Sequence, residues 1–484
     1  MSSTVQNEDR QTSAETQVKD VDLPPLPDAP RGWALLMMIG PAFVWMGEAI
    51  GSGEVILSTR FGAVLGTAVL WVPALAIFLK YWVGMAGARY TVSTGEGMMD
   101  MFSRLPGPRN WAVWIVLLAQ TFAATISTGG LAVAAGTFAH ALVPALPAFA
   151  WSWMLAALAM AVVWSGRFDA LKRVMSLLVL VMIIGVGYVA LKTSPELGAV
   201  LQGLLGFQIP DIPDWAVQTG KIDANPWREM APIMGWAAGG FASQVWYTYW
   251  VLGAGYGMTH GRPYGKPGEV AALKQMSSET ASKVRGWCRV VYADATVALV
   301  IGMATTLGFM LAGATILRPL QVVPEGPRVA FELAAVFGSH WGKTGEILFI
   351  LAGWAALFST LLGQLAGWPR LLSDGYRICV PRFGRLAWEK QFRLFLIALV
   401  GVNFLITYAL GLQPVRLIQT AAFTEGVLLV PLQALAIFLA LYFVLPRLLS
   451  ADARQILKPH KLFGVPLLVC AIVYLFFIVI RFTL

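Results

Sequence analysis

The sequence predicts an all-α integral membrane protein with two inverted repeats of five helices and an eleventh helix, in which helices 1 and 6 are broken. The first observation is composition: of 484 residues, 57% are hydrophobic and 13% are charged. That charged fraction is about half of what a soluble domain carries. The mean hydropathy of +0.68 favours the same class. A sizeable water-soluble domain is therefore excluded.

The second observation is a series of apolar stretches, each long enough, at about 20 residues, to cross a hydrocarbon core of roughly 30 Å. Eleven spans are predicted, at residues 32–62, 64–88, 111–142, 146–165, 171–192, 230–257, 288–314, 344–366, 391–411, 414–445 and 462–482. Residues 1–31 are polar and contain proline, and they lack the basic start and apolar run of a secretory signal. We expect them to form a disordered cytoplasmic tail.

The third observation is a pair of glycine interruptions, in GEAIGSGEVI of span 1 and in MGWAAGGFASQ of span 6. The interruptions lie five spans apart, and five helices per repeat invert the second repeat in the membrane. Interrupted helices at matching places in two halves indicate a transporter's binding site. We therefore predict a first repeat at 32–192, an outer loop at 193–229, a second repeat at 230–445, and an inner loop with helix 11 at 446–484.

Lysine and arginine are concentrated in alternate loops, which determines the predicted orientation. The positive-inside rule places the N-terminus in the cytoplasm and the C-terminus outside, in a plasma membrane of the bacterial type. This topology accounts for the net charge of +9, so no nucleic-acid partner is expected. The predicted partners are the lipid bilayer and a small solute or a divalent cation, and a monomer is compatible with the sequence.

Cysteine and histidine give no sign of a reactive or metal centre. Cys288, Cys379 and Cys470 are far apart and odd in number, which fits neither a disulfide framework nor a zinc site. The chain also contains no nucleophile with a matching base, and GRPYGKPGE at 261–269 lacks the spacing of a phosphate-binding loop. We expect no cofactor and no enzymatic activity.

Ionisable residues inside the spans are the main candidates for function, because a charge at mid-membrane costs at least about 2.5 kcal/mol. Glu54 directly follows Gly51, Ser52 and Gly53, and it is the candidate metal ligand. A helix-capping role for Glu54 is the alternative. Four more residues are candidates for coupling or gating, or for structural pairing within the bundle: Glu48, Lys80, Asp294 and Glu425.

Span 6 supplies neutral groups close to its interruption. Ala242, Ser243 and Gln244 follow the glycine pair, and the last two can donate hydrogen bonds or supply oxygen ligands. The substrate-binding prediction therefore joins Gly51, Ser52, Gly53 and Glu54 of span 1 to these three residues. The aromatic run Trp246, Tyr247, Tyr249 and Trp250 follows. It is open to two interpretations, packing within the membrane or an aromatic wall beside an organic amine.

These residues resemble the Nramp metal-ion transporter family. GPAFVWMGEAIGSGEVILSTRFGAVLGTAVLWV at 40–72 is similar to its first helix, and STLLGQLAGWPRLLSDGY at 359–376 to its eighth. Parts of its seventh and tenth helices resemble DATVALVIGM at 294–303 and VPLQALAIF at 430–438. The resemblance implies a LeuT-like fold, in agreement with the repeats derived above.

The functional motifs depart from that family. Gly51-Ser52-Gly53-Glu54 stands where the family has Asp-Pro-Gly-Asn, and approximately Phe241-Ala242-Ser243 stands where it has Met-Pro-His. The soft methionine ligand is absent, and span 3 contains no carboxylate. This chain is therefore a divergent relative without the usual metal-binding motifs of helices 1 and 6.

The function predicted from the sequence is secondary transport by alternating access. An all-oxygen set favours a hard divalent cation such as magnesium over manganese or iron. A small organic solute, such as an amine or an amino acid, is the alternative substrate. A non-transporting receptor is the second alternative, because an Nramp-like domain occurs in the plant ethylene-signalling protein.

Overall fold

The computed structural model describes residues 25–193, 196–324, 329–409 and 414–483, and nearly all of them form helices. The predicted disorder of the tail falls largely on residues 1–24, which lie outside the described residues. The described part of the tail, residues 25–31, forms no helix or strand. Trp287 Nε1 donates a 2.9 Å hydrogen bond to the carbonyl of Pro27, so this part of the tail packs on span 7.

Helices coincide with all eleven predicted spans. Span 1 consists of Pro41–Ala49 (1a) and a π-helical turn Gly53–Ser58 that continues as Thr59–Leu65 (1b), and span 6 consists of Pro226–Trp236 (6a) and Phe241–Ala254 (6b). Spans 2 to 5 are Trp71–Thr94, Trp111–Leu142, Ala148–Val163 and Phe168–Thr193. Spans 7 to 9 are Ser278–Ala312, Val329–Cys379 and Trp388–Ala409. Span 10 consists of Pro414–Gly426 (10a) and Val430–Leu439 (10b), and span 11 is Val465–Thr483.

Within the described residues, seven helices are by themselves long and apolar enough to cross a membrane. They include spans 2, 3, 5, 7, 8, 10 and 11. Spans 1 and 6 are not among them because, as predicted, each is divided into two short halves. Span 10 is among them as Gln419–Leu448, a stretch that residues 427–429 interrupt only briefly. Span 4, with 16 residues, is apolar but shorter.

Span 10 contains a break that the sequence analysis did not predict. Its helix ends at Gly426 and resumes at Val430, with Pro431 near the start of the second half. Proline is tolerated in the first turn of a helix, because the N–H group that it lacks would have no intrahelical partner there. Three broken spans, 1, 6 and 10, therefore meet in the bundle.

Spans 6a and 10a pack backbone to backbone. A Cβ atom on Gly426 would lie 2.1 Å from the carbonyl oxygen of Gly235, and one on Gly235 would lie 2.1 Å from that of Ala422. No side chain fits between these two helices, and small residues allow this close approach. The contact fixes Glu425, next to Gly426, against the break in span 6.

Candidate functional site

A small cavity lies where the broken spans meet. Its volume of about 30 Å³ exceeds the roughly 10–15 Å³ that one water molecule needs. Its lining comes from spans 1, 6, 8 and 10: Glu48, Ala49, Ser52, Gly53, Trp236, Gly239, Gly240, Ser243, Trp246, Thr360, Gln364 and Glu425. Two carboxylates thus line one cavity together with hydroxyl and amide groups.

Glu48 reaches the cavity from the end of span 1a. Its Oε1 accepts a 2.5 Å hydrogen bond from Ser243 Oγ of span 6b. Ser243 Oγ in turn accepts a 3.0 Å bond from Trp45 Nε1. Glu48 is 2% exposed, and its hydrogen bond spans the two broken helices.

Glu425 reaches the cavity from the end of span 10a. Its Oε1 accepts a 2.8 Å bond from the backbone N–H of Ala242, and its Oε2 accepts a 3.3 Å bond from Trp236 Nε1. The N–H of Ala242 lies in the first turn of span 6b, where the helix dipole favours a negative group. A Cβ atom on Gly240 would lie 2.7 Å from Glu425 Oε1, so only glycine admits the carboxylate here.

Glu54, the predicted metal ligand, is not among the described residues that line the cavity. Its Oε2 accepts a 2.8 Å bond from the N–H of Gly51, and its Oε1 accepts a 3.0 Å bond from the N–H of Ala238. Thr306 Oγ1 donates a third, longer bond of 3.4 Å. Glu54 therefore joins the breaks of spans 1 and 6 through their backbone N–H groups.

Lys80 lies against the break in span 6 and is fully buried. Its Nζ donates bonds of 2.9 Å and 2.7 Å to the carbonyl oxygens of Gly235 and Gly239. Within the described part of the chain, no ion pair joins Lys80 to Glu54. Lys80 thus binds carbonyl groups that the broken helix leaves without partners.

The sequence analysis missed two polar residues of span 8. Thr360 and Gln364 lie one helical turn apart and both line the cavity. Gln364 Nε2 donates a 2.8 Å bond to Ser127 Oγ, while its buried Oε1 has no hydrogen-bond partner among the described residues. The spacing of these two residues within STLLGQLAGW, four apart on a helix, is a signal that could have identified them.

The remaining predicted residues divide into two groups. Ser52, Gly53 and Ser243 line the cavity, whereas Gly51, Ala242 and Gln244 lie behind it and contribute to the breaks. Asp294 is also away from the cavity: its carboxylate accepts bonds from Tyr247 Oη (2.8 Å) and from the N–H of Gly40 (3.1 Å).

The aromatic run of span 6b is divided in the same way. Of its four described rings, Trp246 lines the cavity, and it packs edge-on to Trp368 at 4.9 Å between ring centroids. Tyr247 stacks on Trp45 at 4.2 Å, and Tyr249 Oη donates a 2.9 Å bond to Asp374. Packing is thus the role of most of the run.

Ion pairs link neighbouring segments at both predicted ends of the bundle. At the predicted outer end, buried Arg60 pairs with Glu229 at 3.3 Å. At the predicted inner end, Arg377 pairs with Asp100 at 2.8 Å and with Asp374 at 3.2 Å. Burial raises the pKa of Asp100 above its usual range, and the neighbouring Arg377 opposes this shift.

The ligand chemistry of the cavity is entirely oxygen-based. In the described ranges, no group of three or more His, Cys, Asp or Glu side chains could hold a metal ion. A cation in the cavity would therefore depend on the two carboxylates together with neutral oxygens, from Ser52, Ser243, Thr360 and Gln364. Hard cations accept such mixed oxygen sets, whereas soft ones favour sulfur.

Parts of this sequence are similar to known proteins. The family model described as natural resistance-associated macrophage protein-like (Nramp) matches residues 42–220, which confirms the Nramp resemblance. The uncharacterized protein PM0681 of Pasteurella multocida is 21% identical over 44% of this chain and 47% of its own length. The divalent metal cation transporter MntH of Yersinia enterocolitica is 30% identical over 16% of this chain and 20% of its own length. The chain thus matches less than half the length of either curated relative.

Two groups of solved structures confirm the predicted LeuT-like fold. A manganese transporter of Eremococcus coleocola, solved as a point mutant, superposes with a TM-score of 0.66 at 17% identity, covering 95% of this chain and 90% of that chain. MhsT in complex with L-phenylalanine superposes with a TM-score of 0.55 at 14% identity, covering 91% of this chain and 98% of that chain. At these low identities, the two superpositions establish the fold alone.

Proposed function

We propose that this Nramp-like chain is a secondary transporter that carries a divalent cation by alternating access. The cation would be held between the breaks in spans 1, 6 and 10, where Glu48 and Glu425 line one cavity. Binding at broken helices near mid-membrane is the arrangement that transporters with inverted repeats use. Similarity to a manganese transporter and to a divalent metal cation transporter supports this class of substrate.

The observation that carries the proposal is the unpaired oxygen of Gln364. A buried polar atom without a partner costs about 1–3 kcal/mol, so binding of a ligand that supplies the partner is favoured. Gln364 lines a cavity with two carboxylates and three hydroxyl groups, and its Oε1 has no partner among the described residues. A cation would satisfy this oxygen and offset the negative charge together.

The oxygen set favours magnesium over manganese or iron. Carboxylate, amide and hydroxyl oxygens are hard ligands, and the described residues that line the cavity include neither methionine nor cysteine. Magnesium binds through one or two carboxylates and usually keeps several waters. A cavity of about 30 Å³ would have to enlarge for hydrated magnesium, which requires one end of the bundle to open.

The size of the cavity disfavours the organic-solute alternative. Ligand pockets for small molecules usually measure about 300–1,000 Å³, roughly tenfold more than this one. The glycine-lined wall and Trp246 remain compatible with a small amine only if the bundle rearranges widely.

The charged contacts at the two ends support alternating access. A crevice of about 420 Å³ lies beside Arg60 and Glu229 at the predicted outer end, and it includes Thr424, adjacent to Glu425. The inner links through Arg377 join span 8 to the segment between spans 2 and 3. Opening one set of links while the other stays closed would give the cavity access to one side at a time.

The test is direct flux into proteoliposomes that contain the purified full-length chain. We expect uptake of Mg²⁺, read with an entrapped fluorescent indicator, with weaker uptake of Mn²⁺. Glu425→Gln should reduce uptake at least about tenfold, whereas Glu279→Gln, on the exposed start of span 7, should leave it unchanged. Absence of uptake of either ion by the wild-type chain, while a labelled amine or amino acid enters, would overturn the cation proposal.

A further inference from the structure

We infer that the ammonium group of Lys80 acts as a built-in monovalent cation, filling a cation site formed by the carbonyl oxygens of the span 6 break. This inference rests on the proposed transport function and adds a statement about its coupling: the wild-type chain needs no sodium ion at this position.

The first step concerns the carbonyl groups at the break. Span 6a ends at Trp236, and the last carbonyls of a helix have no partner within it. The carbonyl of Met234 accepts a 2.7 Å bond from Tyr474 Oη, and that of Trp236 accepts a 2.9 Å bond from the N–H of Gly239. The carbonyl oxygens of Gly235 and Gly239 both point at Lys80 Nζ.

The second step is the chemistry of these two oxygens. They belong to a helix C-terminus and to the unwound segment that follows it, and the helix dipole makes this end negative. In transporters with broken helices, unwound carbonyls and half-helix C-termini coordinate sodium ions or protons. The same two groups here surround an ammonium at 2.9 Å and 2.7 Å.

The third step concerns charge. A buried lysine normally pairs with a carboxylate, but the described residues contain no ion pair to Lys80, and its side chain is fully buried. Glu54 binds the N–H of Ala238, on the other side of the same loop. At the break in span 6, the carboxylate of Glu54 therefore faces a backbone N–H group, and the ammonium of Lys80 faces backbone carbonyl groups. Each charge stabilises the backbone groups that face it.

The alternative is that Lys80 is only a hydrogen-bond donor for two carbonyls. A neutral donor would then serve equally well, and small cations would have no effect on a variant that lacks the amine. If the charge of Lys80 matters, we expect the opposite result. In a variant without the amine, the two buried carbonyl oxygens would lie without a partner near carboxylates and would attract a free cation.

The experiment uses purified full-length protein and measures the unfolding temperature, which needs no transported substrate. Lys80→Ala should unfold at a lower temperature than the wild type in choline chloride. Sodium chloride or methylammonium chloride at equal ionic strength should recover at least half of that loss. The wild type and the control Lys283→Ala, near the start of span 7, should not respond to the exchange of salts.

Flux measurements extend the test to transport. Uptake by the wild type should be unchanged when choline replaces sodium, and uptake by Lys80→Ala should become at least about fivefold dependent on sodium or methylammonium. Lys80→Gln, which keeps a donor but no charge, separates the alternatives and also serves if the alanine variant does not fold. Full wild-type stability and uptake of Lys80→Gln in choline would overturn the inference, as would a folded Lys80→Ala that no small cation affects.

The two proposals fail in distinguishable ways. If the wild type transports no divalent cation but Lys80→Ala gains stability from sodium, the proposed substrate is wrong and the inference about Lys80 stands. If the wild type transports magnesium and depends on sodium, the inference about Lys80 is wrong and the proposed function stands.

Discussion

Glu48 and Glu54 lie on either side of the same break in span 1, yet their carboxylates meet different surroundings. Both oxygens of Glu54 accept backbone N–H groups, from Gly51 and Ala238, at 2.8 Å and 3.0 Å. Glu48 instead accepts a hydrogen bond from the side chain of Ser243 and lines the cavity. A buried carboxylate that is satisfied by backbone donors holds the fold together. One that faces a cavity remains available to a ligand.

Replacing Glu48 gives the largest expected effect on transport. Glu48→Gln keeps an acceptor for Ser243 but removes one of the two carboxylates that line the cavity. Hydrogen bonds to charged groups contribute about 1.5–3 kcal/mol, so we expect uptake of Mg²⁺ to fall about 10- to 100-fold. The unfolding temperature should change little. An unfolding temperature that drops sharply while the remaining uptake keeps its KM would contradict the division between the two glutamates.

Replacing Glu54 gives the opposite pattern. Glu54→Gln retains one acceptor oxygen and turns an amide N–H₂ towards a backbone N–H, leaving at least one buried donor without a partner. The expected loss is about 1–3 kcal/mol of unfolding free energy, measured by chemical or thermal unfolding in detergent. The KM of the folded variant for Mg²⁺ should stay within about twofold of the wild type, because a group bound to backbone donors does not contact the cation. If the KM rises about tenfold instead, the metal-ligand prediction made from the sequence is correct.

Gln364 tests whether the neutral side of the cavity contributes to binding. Gln364→Leu removes the unpaired oxygen, so the KM for Mg²⁺ should rise about three- to tenfold, in line with a hydrogen bond of about 1 kcal/mol. Ser127→Ala is the matched control, since it removes only the anchor of the amide nitrogen and should have a smaller effect. Equal KM values for Gln364→Leu and the wild type would exclude Gln364 from the site.

Asp294 is expected to show the smallest effect. Its carboxylate is held by Tyr247 and Gly40, away from the cavity. Asp294→Asn keeps an acceptor for one of these donors, and we expect uptake within about twofold of the wild type, because the substituted group does not line the cavity. A loss of uptake as large as that of Glu48→Gln would support the coupling role that the sequence predicts for Asp294.

The eleven spans and the breaks in spans 1 and 6 were predictable from the sequence, because apolar length and glycine placement are local properties. The LeuT-like fold was implied by the resemblance of residues 40–72 and 359–376 to the Nramp family. Ser243, Glu48 and Glu425 were also among the predicted candidates. The sequence favours Glu54 over Glu48 as the ligand because a carboxylate that follows Gly51 and Gly53 suggests exposed backbone, and this signal is the same for capping and for binding. Only the position of Ala238, 184 residues away in the chain, distinguishes the two roles.

The residues missed by the sequence analysis share a physical reason. Thr360 and Gln364 are common polar residues of a membrane helix, and they matter only because span 8 faces the breaks. The interruption of span 10 has one glycine, Gly426, and a proline further on at Pro431, a weaker pattern than that of spans 1 and 6. The four-residue spacing of Thr360 and Gln364 places them on one helix face, but only tertiary packing determines that this face borders the breaks.

The backbone contact between Gly235 and Gly426 limits how the molecule can move. These two helices touch through carbonyl oxygens and glycine carbons with no side chain between them, so separating them would open a gap between their backbones. We therefore expect spans 6a and 10a to move as one rigid unit that includes Glu425. A cation would then be released when this unit moves away from Thr360 and Gln364 of span 8. The ion would leave on the side of the membrane to which the cavity opens.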